Sequence, residues 1–306
     1  MYSIGRNEMP AVSRLRVAII GTGNIGTDLL FKVRRSDFLK CSFFVGRREE
    51  SPGIQIARES GVQAITNGID GLLPFLENID LVFDATSAQD HVYHAPILLE
   101  NNVHVINLTP AKVGQFYVPR SNSLVKNKVF DSFHLNMITC GGQSAIPFLI
   151  ALCKQTKIES VEIVSTISSS SAGPATRRNL DEYIENTENA VNEFTGITDV
   201  KCMLVLNPAI PEIPMHTSFY IKAKSLNNND FSSIVQKTLE ELRRYIPFIE
   251  LISLPTTFQK DLFHFAITIK GAGDYLPEYS GNLDVINLAA IVAAEEISII
   301  GGKTNE

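Results

Sequence analysis

An α/β chain built from two domains is the fold class that these 306 residues predict, and three observations point there. A continuous apolar run, RVAII at 16–20, leads directly into GTGNIG at 21–26. Strand-like and helix-like segments then alternate to about residue 108. Past about residue 155 the pattern changes to longer runs rich in β-branched residues, with helical segments between them. The first pattern is that of a Rossmann-type dinucleotide-binding domain, the second that of an α+β substrate domain.

The elements follow in order. An uninterrupted apolar run such as RVAII suits a parallel strand covered on both faces. A lone GxGxxG is weak evidence, but between a strand and the apolar-periodic TDLLFKVRRSDF it is much stronger. Gly21 permits the tight turn, Gly23 lets the backbone approach a pyrophosphate, and Gly26 lets the helix close on the strand. With Thr22, Asn24 and Ile25 they make the expected phosphate loop, the anion resting on the positive end of the helix. FFVG (43–46) reads as a second strand, DLVFDAT (80–86) as a third and HVINL (104–108) as the next, with a helix from about Gln89 to Asn101. Such alternation implies a parallel sheet with right-handed crossovers. Asp84-Ala85-Thr86-Ser87 ends a strand, where open α/β sheets bind ligands, so Thr86 and Ser87 are candidate cofactor contacts. His91 and His94 open the next helix as surface or capping residues.

The end of the second strand usually chooses between NAD, held by an acid, and NADP, accommodated by an arginine. Here Gly46 is followed by Arg47 and Arg48, and only then by Glu49 and Glu50. A solvated charged turn and a 2′-phosphate site both fit, so the expected cofactor is NAD or NADP.

In the second domain SVEIVSTISS (160–169), KCMLVLNP (201–208), SFYIKAKS (218–225) and FHFAITIKG (263–271) read as strands. Helices near 179–195 and 231–245 lie between them, which suggests a mainly antiparallel sheet with helices on one face. The apolar segment 284–300 is a helix expected to return to the first domain. The expected boundaries are 1–139 plus 281–306 for the dinucleotide domain and 140–280 for the catalytic, substrate and dimerisation domain.

Composition narrows the function. A net charge of −6 argues against nucleic acid or an anionic membrane as the main partner. No apolar stretch approaches the ~20 residues that span a bilayer. The first residues lack the apolar core of a signal peptide. Cys41, Cys140, Cys153 and Cys202 have neither metal-ligand nor disulfide-framework spacing, so no metal is expected and the thiols read as reduced in a cytoplasmic protein. One of them stands apart. In NMITCGGQSAIPF (136–148), Cys140 precedes two glycines and a helix-like segment. Core packing is the default reading of such a cysteine. Open space beside the sulfur and a helix N-terminus, which stabilises a thiolate, favour a nucleophile instead. Cys140 also falls where the two expected domains meet in sequence.

AIIGTGNIGTDLL, DLVFDATSAQDHV, NLTPA, NMITCGGQSAIP, ISSSSAGPATRRNLDE and YLPEYSGNLD, in this order over about residues 16–300, resemble the acylating acetaldehyde dehydrogenases. The resemblance implies a glyceraldehyde-3-phosphate-dehydrogenase-like architecture and oxidation of a short aldehyde, with NAD and coenzyme A, to acyl-CoA and NADH. It also implies a homodimer, or a heterotetramer with a 4-hydroxy-2-oxovalerate aldolase, in the catabolism of aromatic compounds. By position, Cys140 matches the family's nucleophile and Thr22–Gly26 the pyrophosphate loop. Ser171, Ala172, Gly173, Pro174, Ala175, Thr176, Arg177, Arg178 and Asn179 match a cofactor-contacting segment, and Asn282 a contact near the nicotinamide.

Four departures stand out. Arg47-Arg48 replace an Ile-Asp pair, Ser170 stands where a lysine is common, and LPTTFQKDLFHF is shorter than its counterpart. Thr217 takes the place of an aspartate that assists the thiol. The neighbouring His216 is then either the base for Cys140 or a polar residue entering a strand. Two other functions stay in view. One is the same chemistry with phosphate in place of CoA, as in semialdehyde dehydrogenases. The other is a non-catalytic paralogue that binds nucleotide or an aldolase.

Overall fold

The computed structural model describes residues 14–119, 121, 132–173, 176–177 and 180–303. It divides into two compact units, one reaching to Met137 and resuming at Asn287, the other Ile138–Ile286.

The first unit contains β1 (Leu15–Ile20), α1 (Asn24–Arg35), β2 (Leu39–Val45), α2 (Pro52–Glu59), β3 (Gln63–Ile65), α3 (Gly68–Leu72), β4 (Leu81–Asp84), α4 (Ala88–Glu100), β5 (His104–Asn107), β6 (Gln115–Tyr117) and β7 (His134–Met137). Its seven strands run in the order β3-β2-β1-β4-β5-β7-β6, and every pair is parallel. Val17, Ala18, Ile19 and Ile20 are buried, as are all four residues of β4, because both sheet faces are covered. Strand order reverses at β1, which pairs with β2 on one side and β4 on the other. Loops after β1 and β4 therefore flank the crevice where such sheets hold ligands.

The C-terminal part of the last helix, α8 (Gly281–Lys303), belongs to this unit from Asn287 onward. Long-range hydrogen bonds stitch it in. Asn287 Nδ2 donates to Asp28 Oδ2 (2.7 Å), Ser36 Oγ to Glu295 (2.7 Å) and Tyr117 Oη to Glu296 (2.6 Å). Asp28 also receives Lys32 Nζ at 2.6 Å, one helical turn along α1, and both side chains are almost wholly buried.

The second unit holds α5 (Cys140–Cys153), β8 (Ile158–Ser168), α6 (Leu180–Thr195), β9 (Asp199–Asn207), β10 (Met215–Ala223), α7 (Asn228–Leu242), β11 (Ile249–Gln259) and β12 (Leu262–Ile269). Its sheet order is β11-β12-β10-β8-β9, antiparallel except for the β8–β9 pair. Alternation along β10 is strict: Met215, Thr217, Phe219 and Ile221 are buried, while His216, Ser218 and Tyr220 are only partly so. The buried face packs on helices. Phe148 of α5 lies 5.8 Å from Phe219 and 5.1 Å from Phe265, these two stack at 4.2 Å, and Phe231 of α7 closes the cluster. Each ring taken from water contributes about 1.5–3 kcal/mol.

The helix of QSAIPFLIALC starts at Cys140 and has Pro147 inside it. LPTTFQKDLFHF forms a hairpin: Gln259 pairs with Leu262, leaving Lys260-Asp261 as a two-residue turn with Asp261 at φ 63°. Tight hairpin turns require such left-handed residues, and aspartate tolerates them.

Candidate active site

Cys140 is the first residue of α5, and Thr139 caps that helix. The Thr139 hydroxyl accepts the Gly142 N–H at 3.0 Å. Thr187 of α6 donates to the Tyr183 carbonyl (2.7 Å), so the 2.6 Å contact between the two threonines carries the Thr139 proton. The cap is thereby tied to α6. The glycines after Cys140 are there for space. A Cβ on Gly141 would lie 2.4 Å from Tyr183 Oη and 2.9 Å from Ser165 Oγ, and one on Gly142 would lie 2.3 Å from Ile138. Glycine at 141 lets the tyrosine reach the helix start, and glycine at 142 makes room for Ile138.

Tyr183 Oη accepts the Gly141 N–H at 2.9 Å and lies 3.5 Å from Cys140 Sγ. The thiol is 4% exposed. Burial pushes it up to about 11, against the pull of Tyr183 and the first backbone N–H groups of α5. The helix N-terminus expected to favour a thiolate is present, but desolvation outweighs it in the free protein. Tyr183 itself is raised well above the usual phenol range by burial and by the neighbouring sulfur, so it stays protonated. Behind it is a hydroxyl cluster: Thr217 Oγ1 is 3.4 Å from both Ser144 and Ser165, and Ser144 donates to the Gly141 carbonyl (3.0 Å).

The strand pleat settles the place of His216. Thr217 pairs in register with Ser165 and points to the face that carries α5, whereas His216 pairs with Thr166 and Thr268 and points to the opposite face. The structure does not bring His216 to Cys140, because adjacent residues of a strand project on opposite sides. Burial lowers its basicity further. Tyr183, which the sequence reading passed over, occupies the place by the sulfur. Within LDEYIENT it looks like one apolar position of an amphipathic helix, and only its Thr187 neighbour one turn on hints at more.

The dinucleotide loop has the shape its glycines imply. Gly21 sits at φ 115°, and a Cβ there would strike Ala85 O at 2.5 Å. On Gly26 it would approach Gly21 O to 1.8 Å, whereas Gly23 has open space. No side chain caps the N-terminus of α1, so the amides of Asn24, Ile25 and Gly26 remain for an anion. Gly46 packs on Thr22, and Ser51 Oγ donates to Thr22 Oγ1 at 2.8 Å, so the loop after β2 lies on the phosphate loop. Arg47 and Arg48 are exposed there. Arg47 reaches Asp90 at 3.4 Å, and Arg58 holds Glu49.

Thr86 and Ser87 follow β4. The Thr86 hydroxyl and N–H both donate to Asp84 Oδ1, and Ser87 caps α4 through Asp90 N–H (3.1 Å). His91 and His94 are buried, not surface residues, and both place Nδ1 at 2.9 Å from Asp84 Oδ2. Burial alone would raise the Asp84 carboxyl. Hydrogen bonds from His91, His94 and Thr86 hold it far below the carboxylate range instead. His91 Nε2 meets His134 Nε2 at 3.0 Å, and burial, with His91 beside it, lowers His134 to about 4.

Ser171 and Ala172 are buried in and just after a 3-10 turn at Ser169–Ser171, and Gly173 is exposed. Arg177 folds back on that turn, donating to Ser169 O (2.6 Å) and Ala172 O (3.1 Å), with Thr176 beside it. Pro174, Ala175, Arg178 and Asn179 lie outside the described residues. Asn282, in the first turn of α8, is buried, and its Oδ1 has no partner among the described residues.

A Rossmann-type unit joined to an α+β unit that presents a cysteine at a helix start defines the class of two-domain aldehyde-oxidising dehydrogenases. Comparison with known proteins narrows this. A family model described as "Prokaryotic acetaldehyde dehydrogenase, dimerisation" matches residues 140–277, and one described as "Oxidoreductase family, NAD-binding Rossmann fold" matches 15–110. The acetaldehyde dehydrogenase of Spirochaeta aurantia is 46% identical over 94% of this chain and 95% of its own, and that of Pectobacterium atrosepticum 46% over 93% and 96%. The solved aspartate semialdehyde dehydrogenase II of Vibrio cholerae shares the fold at 14% identity, with a TM-score of 0.60 over 92% of this chain and 98% of that one. The chain belongs to the acetaldehyde dehydrogenase family.

Proposed function

We propose that the protein is an acylating acetaldehyde dehydrogenase, converting a short aldehyde, CoA and oxidised nicotinamide dinucleotide to acyl-CoA and the reduced cofactor. The observation that carries this is Cys140, held by the Thr139 cap at the start of α5 with Tyr183 at its sulfur. Cys140 Sγ bonds to the aldehyde carbon to give a thiohemiacetal, and oxidation of that adduct leaves a thioester on the same sulfur. A nicotinamide, when bound, supplies the hydride acceptor. The CoA thiol then takes the acyl group and frees Cys140. The Gly141 and Gly142 N–H groups are taken by Tyr183 and Thr139, so the donors for the developing oxyanion are the Cys140 N–H and the Asn282 side-chain amide.

The open approach at Gly23 and the uncapped amides of α1 support a dinucleotide site at Gly21–Gly26. Thr86 and Ser87, at the end of β4, are further cofactor contacts in this reading, and the family resemblance extends it to the Ser171–Asn179 segment. At the end of β2 both arginines are exposed and the first carboxylate, Glu49, is paired with Arg58. This supports acceptance of NADP as well as NAD. The second unit serves as the dimerisation unit of a homodimer, and the family resemblance extends the reading to a cytoplasmic enzyme docked on an aldolase that delivers the aldehyde.

The test is the rise of reduced-nicotinamide absorbance with acetaldehyde, CoA and each cofactor. Activity should vanish in Cys140→Ala, and full activity in that variant ends the proposal. Phosphate in place of CoA should give no acyl phosphate. Arg48→Ala should depress kcat/KM with NADP more than with NAD.

A further inference from the structure

Thr217 stands where the family resemblance implies an acid, and it is buried on the face of β10 that carries α5, where its described hydrogen-bond partners are hydroxyls. What the structure puts at the sulfur is a phenol. We propose that Tyr183 is a further catalytic residue, whose hydroxyl donates to Cys140 Sγ and stabilises the thiolate that attacks the aldehyde. It deepens the reading of Cys140 as nucleophile and rests on it.

The hydrogen inventory accommodates this direction. A tyrosine hydroxyl has one proton and two acceptor positions. The Gly141 N–H fills one position at 2.9 Å. In the proposed arrangement the Ser165 hydroxyl donates to the other, which leaves the phenol proton for Cys140, 3.5 Å away and within the longer reach of a sulfur acceptor. Thr217 Oγ1 lies 3.4 Å from Ser165 and from Ser144 of α5, so among the described residues the phenol is backed by hydroxyls. Because the phenol keeps its proton at neutral pH, it serves as donor and not as base. The thiol proton leaves to solvent. A donor to a thiolate strengthens as charge develops, which is what lowers the free energy of the attacking form relative to the resting thiol. The glycine at 141 belongs to the same device, since a Cβ there would displace the phenol.

The experiment is the pH dependence of iodoacetamide alkylation at Cys140, read by mass spectrometry of the Cys140 peptide so that Cys41, Cys153 and Cys202 do not contribute. Tyr183→Phe keeps the ring and removes the donor. Its alkylation midpoint should rise about one to two pH units, the worth of a hydrogen bond to a charged group. In turnover, kcat/KM at neutral pH should then fall about 10- to 100-fold, and the deficit should shrink as pH is raised. An unchanged midpoint and pH profile in a folded Tyr183→Phe protein would overturn the proposal. Should that variant not fold, Ser165→Ala, which loosens the phenol without removing it, must raise the midpoint by a smaller amount, and no rise overturns the proposal equally. Alkylation needs neither aldehyde nor cofactor, so a shifted midpoint in a protein without dehydrogenase activity would sink the proposed function and leave the role of Tyr183 standing.

Discussion

Asp84→Asn removes a charge from a site with four donors on it. Oδ2 receives both His91 and His94, Oδ1 receives the Thr86 hydroxyl and N–H, and the residue has no solvent exposure. An amide has a single acceptor oxygen, so whichever way it turns, two donors face an NH2 group. Two lost bonds to a charged acceptor amount to about 3–6 kcal/mol. A histidine can lessen this by moving its proton to Nε2, but His91 would then aim that proton at His134 Nε2, which must switch as well. We therefore expect a loss of about 3–5 kcal/mol. Urea unfolding followed by circular dichroism measures it, through the midpoint at constant m. A loss under about 1 kcal/mol would refute the claim that Asp84 organises these histidines.

Other outcomes follow from the same geometry. His134 sits at about 4 in the folded chain, below its ordinary value, so folding favours the neutral ring and the unfolded chain binds more protons between the two. Stability should be intact above about pH 6.5 and fall by about 1–2 kcal/mol, discounted for partial exposure, as pH drops through about 4; His134→Asn should flatten that slope in pH-dependent denaturation. Gly23→Ala should change stability by under about 1 kcal/mol, since a Cβ there meets nothing, yet weaken dinucleotide binding in calorimetry about tenfold or more. Gly26→Ala, with its Cβ 1.8 Å from Gly21 O, should lose more than about 2 kcal/mol of stability as well. Phe148→Ala, at the hub of the second unit's aromatic cluster, should lower stability by about 3–5 kcal/mol in the same assay.

Much of the fold was legible because its signals are local. β1, β2, β4 and β5 announce themselves as apolar runs, and the phosphate loop needs only its own glycines. β3 and β6, at three residues each, are too short to carry a period. β7 hides because Asn136, though buried, is polar: its Oδ1 accepts from Asn107 Nδ2, and both amides donate to Ala111 O. The site divides the same way. Cys140 and its glycines are adjacent in sequence, whereas Tyr183 reaches the sulfur from 43 positions away. His216 and Thr217 show the converse failure, since neighbours in a strand are parted by its pleat. His91 and His94 passed for surface residues because the carboxylate that draws them inward, Asp84, sits on a different element.

The stitching of α8 into the first unit has a consequence for the order of events during synthesis. Asp28, Ser36 and Tyr117 wait for Asn287, Glu295 and Glu296, partners that emerge from the ribosome only after the whole of the second unit has been made. The intervening unit is uninterrupted in sequence and has every strand of its sheet within itself, so it can complete its core while the first sheet still lacks a helix. The part translated first is thus the part finished last. Until then Asp28 and Lys32 have each other but not Asn287, which leaves the nascent dinucleotide unit open to proteases and chaperones for as long as translation takes.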